Sequence, residues 1–217
     1  MSSAQQYTNR FISWLCEPVS NYALISFRII FGLLLCIHVA SALVSGAVFH
    51  NYIEPPFTFN YIGFDFLQPL PGYGMYAYFI FMFMLAAMIM TGAWYRLAIT
   101  TFSMMWTILY LMQKANYNNH YYLMLLLCWI MVFMPANRLY SVDVKRKVVT
   151  ETHYCQRRCI FLFIAQLAIV YFFAAISKID SDWFSGKYLA IQFSGQSQRF
   201  ISGYFYRQEW FRLFICY

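Results

Sequence analysis

The sequence predicts an all-α fold, a polytopic transmembrane helical bundle of about five spans with interfacial segments. Three observations point there. The 217-residue chain is 62% hydrophobic, 22% aromatic and only 11% charged. Its charges fall in islands, leaving uncharged windows between Arg28 and Glu54, Asp65 and Arg96, Arg96 and Lys114, Lys114 and Arg138, and Arg158 and Lys178. Each window can supply the roughly 17–25 apolar residues that a membrane-spanning helix needs. The net charge of +7 gathers at the ends of these windows, where basic residues anchor and orient a membrane protein. No RNA- or DNA-binding motif accompanies it, so membrane lipid, not nucleic acid, is the expected partner.

Taken in order, residues 1–20 are polar to mixed, and Trp14 and Pro18 suggest an interfacial lead-in. The first helix is expected from Tyr22 to Phe49, as a retained span and not a cleaved signal. It carries Arg28 as an anchor at its cytoplasmic end and His38 in its middle, placed to bond a neighbouring helix. Residues 50–72 mix turn formers (Glu54-Pro55-Pro56, Gly63, Pro69, Pro71, Gly72) with Phe57, Phe59 and Tyr61, an aromatic loop at the interface. A Met/Phe-rich second helix covers Tyr73 to Ala93. The third follows Arg96 and ends near Gln113, and the fourth runs from near Asn119 to Pro135. A basic stretch with Arg138, Lys145, Arg146, Lys147, Arg157 and Arg158 precedes the fifth, Cys159 to Ser177.

Residues 184–217 are too polar to span and too aromatic for a free tail, which suggests an interfacial or re-entrant segment. The chain stops on Phe214-Ile215-Cys216-Tyr217 as though entering another helix. Residues 1–217 therefore read as one transmembrane domain truncated at its C-terminal end. The six cysteines (Cys16, Cys36, Cys128, Cys155, Cys159, Cys216) show neither a disulfide framework nor zinc spacing. Cys155 and Cys159, beside Arg157 and Arg158, read as packing residues ahead of palmitoylation sites. No two histidines have ligand spacing, so neither haem nor a metal centre is expected.

Charge bias sets the orientation. With the N-terminus cytoplasmic, the inner segments hold Arg10, Arg28, Arg96 and the six basic residues after the fourth helix. The two closed outer loops then hold only Lys114. This places the 50–72 loop, the Asn116–Tyr122 turn and the end of the fifth helix on the outer face, periplasmic or lumenal.

Two stretches there carry chemistry. YFFAAISKIDSDW (171–183) is an apolar run that stops on Lys178, followed by Asp180, Asp182 and Trp183. A lysine at the mouth of a hydrophobic helix is expected to be partly desolvated, which favours its neutral, basic form. NYNNHYY (116–122) sets Asn119 and His120 at the start of the fourth helix, whose dipole favours a neutral imidazole. Lysine as base, histidine as partner and asparagine as positioning group suit proton abstraction. The plainer alternatives are that Lys178 snorkels and pairs with Asp182, that His120 and the asparagines merely cap a helix, and that Trp183 and the tyrosines are belt aromatics.

Six segments carry a family resemblance: SFRIIFGLLL (26–35), IEPPF with PLPGYGMY in the 50–72 loop and just beyond, WYRLA (94–98), NYNNHYYL (116–123), PANRLYSVD (135–143) and VYFFAAISKIDSDWFSG (170–186). In this order the chain resembles the membrane part, or HTTM domain, of the vitamin K-dependent gamma-carboxylase family. The resemblance implies a multi-pass enzyme of a bacterial inner membrane or of the endoplasmic reticulum, with its active site on the outer or lumenal face. Its implied cofactor is reduced vitamin K, a naphthohydroquinone, with O2 and CO2 as co-substrates. Its implied partners are membrane lipid, the lipid quinone and a glutamate-containing protein. The family's lysine falls on Lys178, its histidine on His120 and the preceding asparagine on Asn119. Deprotonation of the hydroquinone leads through a strong base to carboxylation of the glutamate and to quinone epoxide. No residue is assigned to holding the quinone. Ser177 stands where animal members carry a second lysine, and Gln113 where an acidic residue is common. The alternatives are a transporter-like protein with an ion path through Lys178, Asp180 and Asp182, and a catalytically inert truncated scaffold.

Overall fold

The computed structural model describes residues 3–179 together with 183, 185 and 186. They belong to two compact units, Met1–Phe163 and Ile164–Tyr217. Described elements of the first are α1 (Ser3–Cys16), β1 (Pro18–Ser20), α2 (Tyr22–Val44), α3 (Gly74–Thr91), α4 (Tyr95–Met112), α5 (Asn119–Phe133), α6 (Val142–Lys145) and β2 (Tyr154–Gln156). α7 (Arg157–Ile176) begins in the first unit and continues into the second. A π-helical turn at Phe49–Ile53 and a 3-10 turn at Lys114–Asn116 complete the described helical segments.

The helical bundle read from the windows is what folds. α2 packs most extensively on α3, and α4 packs on both α3 and α5. The core between them holds Leu35, Val39, Met82, Ala86, Ile89, Ala98, Ile99 and Phe102, all fully buried. The α2–α3 crossing depends on Gly32, where a Cβ would lie 2.6 Å from the Met90 backbone.

Of the described helices, α2, α3 and α7 are long and apolar enough to cross a membrane. α5 is apolar but has 15 residues, about 22 Å at roughly 1.5 Å per residue, against a hydrocarbon core of about 30 Å. α4 has 18 residues but is diluted by hydroxyls, which it satisfies internally. Ser103 Oγ donates to Ile99 O and Thr107 Oγ1 to Ser103 O, while Thr107 Oγ1 accepts from Trp129 Nε1 of α5 at 3.1 Å.

Several boundaries move. The first helix, expected to reach Phe49, stops at Val44, and Gly46 follows with φ +75°. The lead-in is itself a helix, α1, tied to the start of α7 by an ion pair of Glu17 with Arg157 at 2.6 Å. The Arg157 guanidinium also lies 4.7 Å from the Trp14 ring centroid, which packs edge-on against Phe161. Between α1 and α7 runs a two-stranded antiparallel ribbon that apolar windows could not reveal, pairing Pro18 with Gln156, Val19 with Cys155 and Ser20 with Tyr154. Cys155 and Cys159 are buried beside it.

Arg28 is not an anchor at the membrane surface; it is fully buried. Its guanidinium donates from Nη1 to Ile89 O (3.2 Å) and Met90 O (2.8 Å), and from Nη2 to Tyr140 O (2.7 Å). It thus satisfies carbonyls left open where α3 ends. Gly92 closes that helix with φ +69°, and a Cβ there would lie 2.5 Å from both Arg28 Nη1 and Ser141 Cβ. One turn on, Asp143 accepts from the backbone N–H groups of Trp94 (2.7 Å) and Tyr95 (3.1 Å) and from Asn137 Nδ2 (2.7 Å). A buried cation ends α3 and a buried carboxylate starts α4, each matched to its helix dipole. Segments 26–35, 94–98 and 135–143 meet in this one polar knot.

Candidate functional site

At the opposite end of the first unit, Gln113 fastens the 50–72 loop to the end of α4. Buried to 6% exposure, it accepts from Phe59 N at 2.9 Å through Oε1 and donates to Asn51 O at 3.4 Å through Nε2. Lys114 N donates to Phe59 O (2.6 Å) and Tyr61 N to Leu111 O (3.2 Å). Tyr61 stacks on Tyr110 with centroids 5.4 Å apart. The glutamine at 113 can both donate and accept, which a carboxylate could not do, so it serves both strands of the loop. The loop and the Asn116–Tyr122 turn therefore lie at one end of the bundle, as the sequence led us to expect.

Beneath them is a cavity of about 410 Å³. Aromatic rings of Tyr52, Phe79, Trp106, Tyr110 and Tyr121 form much of its wall, with polar groups from His38, Gln113, Asn116 and Asn118. His38 does face neighbouring helices, but through ring contacts. Its centroid is 5.4 Å from that of Trp106 and 5.2 Å from that of Tyr121, both edge-on. No hydrogen bond to its nitrogens is found among the described residues. Burial pushes the Tyr52 phenol above its ordinary value, the Asn116 side chain opposing and Tyr121 reinforcing the shift. The phenol therefore stays protonated and available as a donor.

The turn itself is built on Asn118, the N-cap of α5. Its Oδ1 accepts from the backbone N–H of His120 (2.9 Å) and from the His120 ring at Nδ1 (2.8 Å). Since Oδ1 only accepts, Nδ1 carries the proton, and a neutral His120 presents Nε2 as an acceptor. Asn119 Oδ1 accepts from Tyr117 OH at 2.9 Å. Asn119 and His120 are both exposed. The capping alternative thus describes Asn118, the asparagine not singled out from sequence, while the one side-chain bond of Asn119 among the described residues is that from Tyr117.

Lys178 belongs to the second unit, in the turn that ends α7, where its N–H donates to Ala175 O at 3.1 Å. Its Nζ lies 4.8 Å from the centroid of Trp183, a cation–π distance. The side chain is exposed. Asp180 and Asp182, on which both the ion-pair alternative and the transporter reading depend, lie outside the described residues. So does the 187–217 part of the segment read as interfacial.

Tyr52, Trp106, Gln113 and Asn118 were missed as lining groups because they come from three separate segments. Only the aromatic density of the 50–72 loop and of the 116–122 turn hinted at an enclosed wall. A family model described as HTTM domain matches residues 16–217. No solved structure matches the chain.

Proposed function

We infer a function from one premise: the chain belongs to the HTTM-domain family. Our reading is a membrane enzyme of the vitamin K-dependent gamma-carboxylase kind, which couples epoxidation of a naphthohydroquinone to carboxylation of protein glutamate. The observation that carries it is the cavity beside the Asn116–His120 turn. At about 410 Å³ it falls within the roughly 300–1,000 Å³ of small-molecule sites. Its flat aromatic walls suit a bicyclic ring, and its phenol, amides and imidazole suit the two oxygens of a hydroquinone. Bound there, the reduced naphthoquinone with O2 supplies the oxidation that drives proton removal from glutamate for addition of CO2.

The chain's own groups would hold and move protons. The family resemblance gives Lys178, in its uncharged form, the role of taking a hydroxyl proton through Nζ. His120, its Nδ1 committed to Asn118, offers Nε2 to a second proton or, once protonated, a donor to a developing oxyanion. Asn119 orients the reacting hydroxyl through its amide. His38 and Tyr52 line the cavity that holds the ring. On this reading the Lys178 and His120 ends face the outer or lumenal side, as the distribution of basic residues favours.

The test is epoxide formation by the purified chain in lipid nanodiscs given reduced vitamin K and O2. Wild type should form epoxide, and Lys178→Ala should lose at least about 100-fold, the lower bound of a general base's usual contribution. Equal turnover by Lys178→Ala would remove the base assignment. No epoxide from a folded wild-type chain would favour the inert-scaffold alternative.

A further inference from the structure

We propose that the first unit carries a second ligand site, independent of the carboxylase reading: a headgroup site for an anionic membrane phospholipid, lined by Arg96, Arg138 and Arg158. These arginines line one cavity of about 650 Å³. They come from the start of α4, the segment after α5 and the start of α7. Among the described residues, no Asp or Glu lines it and none of the three forms an ion pair with a carboxylate. Arg96 is partly committed, donating through Nη1 to Val132 O near the C-terminal end of α5. Arg138 and Arg158 are exposed, and among the described residues their guanidiniums have no hydrogen-bond or ion-pair partner; guanidiniums in such a setting match a phosphate bidentately.

The rest of the wall fixes the class of ligand. Phe133, Met134, Pro135 and Leu162 line the same cavity, and Phe133 and Leu162 are 72% and 45% exposed. A free phosphate has no use for that surface, whereas an acyl chain leaving the headgroup covers it. Depth agrees. Arg157 opens a helix long and apolar enough to span, so Arg158 stands where hydrocarbon gives way to headgroups. Trp14, packed against Arg157 and Phe161, is the ring type enriched at that boundary. Basic pockets between helix ends at this depth suit phosphatidylglycerol or cardiolipin.

The experiment uses the whole chain in nanodiscs of phosphatidylcholine containing a minor fraction of phosphatidylglycerol, read by native mass spectrometry after gentle release. Phosphatidylglycerol should be retained selectively, and Arg138→Gln/Arg158→Gln should weaken retention by about thirtyfold, the loss expected for two arginines near an anionic surface. Both side chains are exposed, and unchanged melting of the variant in pure phosphatidylcholine verifies its fold. Equal retention of the two lipids, or retention unchanged in the folded variant, would overturn the proposal. Displacement of the lipid by millimolar glycerol phosphate would instead assign the site to a soluble phosphate and overturn the lipid assignment.

Discussion

Arg28 and Asp143 show how far a single residue's role can lie from its local sequence. Arg28, a charge near the start of an apolar stretch, reads as a surface anchor, and Asp143 stands in a basic stretch that gives it no assigned role. Their partners, Ile89, Met90 and Tyr140 for the one and Trp94, Tyr95 and Asn137 for the other, are distant in the chain, so helical periodicity carries no trace of the pairing. Removing the carboxylate strands three donors, two of them buried. Asp143→Ala should therefore lower stability by about 3 kcal/mol, seen as a lower melting temperature in detergent. A melt within a degree of wild type would mean that water replaces the carboxylate. Gly92→Ala faces a left-handed backbone and two atoms at 2.5 Å, and should cost more than about 1 kcal/mol; an unchanged melt would show that Arg28 and Ser141 can move aside.

At the scale of elements, the windows between charges located all five long helices to within a few residues, because a long apolar run leaves a strong mark on composition. The β1–β2 ribbon left none: three-residue strands among polar residues have too little periodicity to register. It buries Cys155, whose thiol is pushed up by burial first and by Cys159 second. A raised thiol pKa means less thiolate at a given pH, so maleimide at pH 7.5 should label exposed Cys16 well before Cys155, and raising the pH should speed the Cys155 reaction. Labelling Cys155 as fast as Cys16 in the native protein would contradict the ribbon's burial of it. The start of α5 was legible as a cap, though the asparagine that does the capping is 118. Asn118→Ala should cost about 1 kcal/mol and free the His120 ring. Under the proposed function it should also lower epoxide turnover beyond what the stability loss explains, and turnover that follows stability alone would leave His120 without a positioning partner.

For the whole molecule, membrane character and family were legible in the order of six segments, and the family match over residues 16–217 agrees. The structure adds a reason for that order. Segments 26–35, 94–98 and 135–143 meet at the Arg28–Asp143 knot, at one end of the first unit. The 50–72 loop and the 116–123 turn meet over the cavity at the other. One end holds the helices in register, while the other leaves room for a ligand. The cavity itself could not be read from sequence, since its wall is drawn from α2, α3, α4, α5 and two turns, and no single stretch is apolar or polar enough to announce it. The most direct measurement is photolabelling of the chain in nanodiscs with an azido-naphthoquinone, followed by peptide mapping. The account predicts adducts on Tyr52, Trp106 or Tyr121 that reduced vitamin K suppresses. Adducts confined to the arginine-lined end, or adducts that excess vitamin K leaves unchanged, would contradict it.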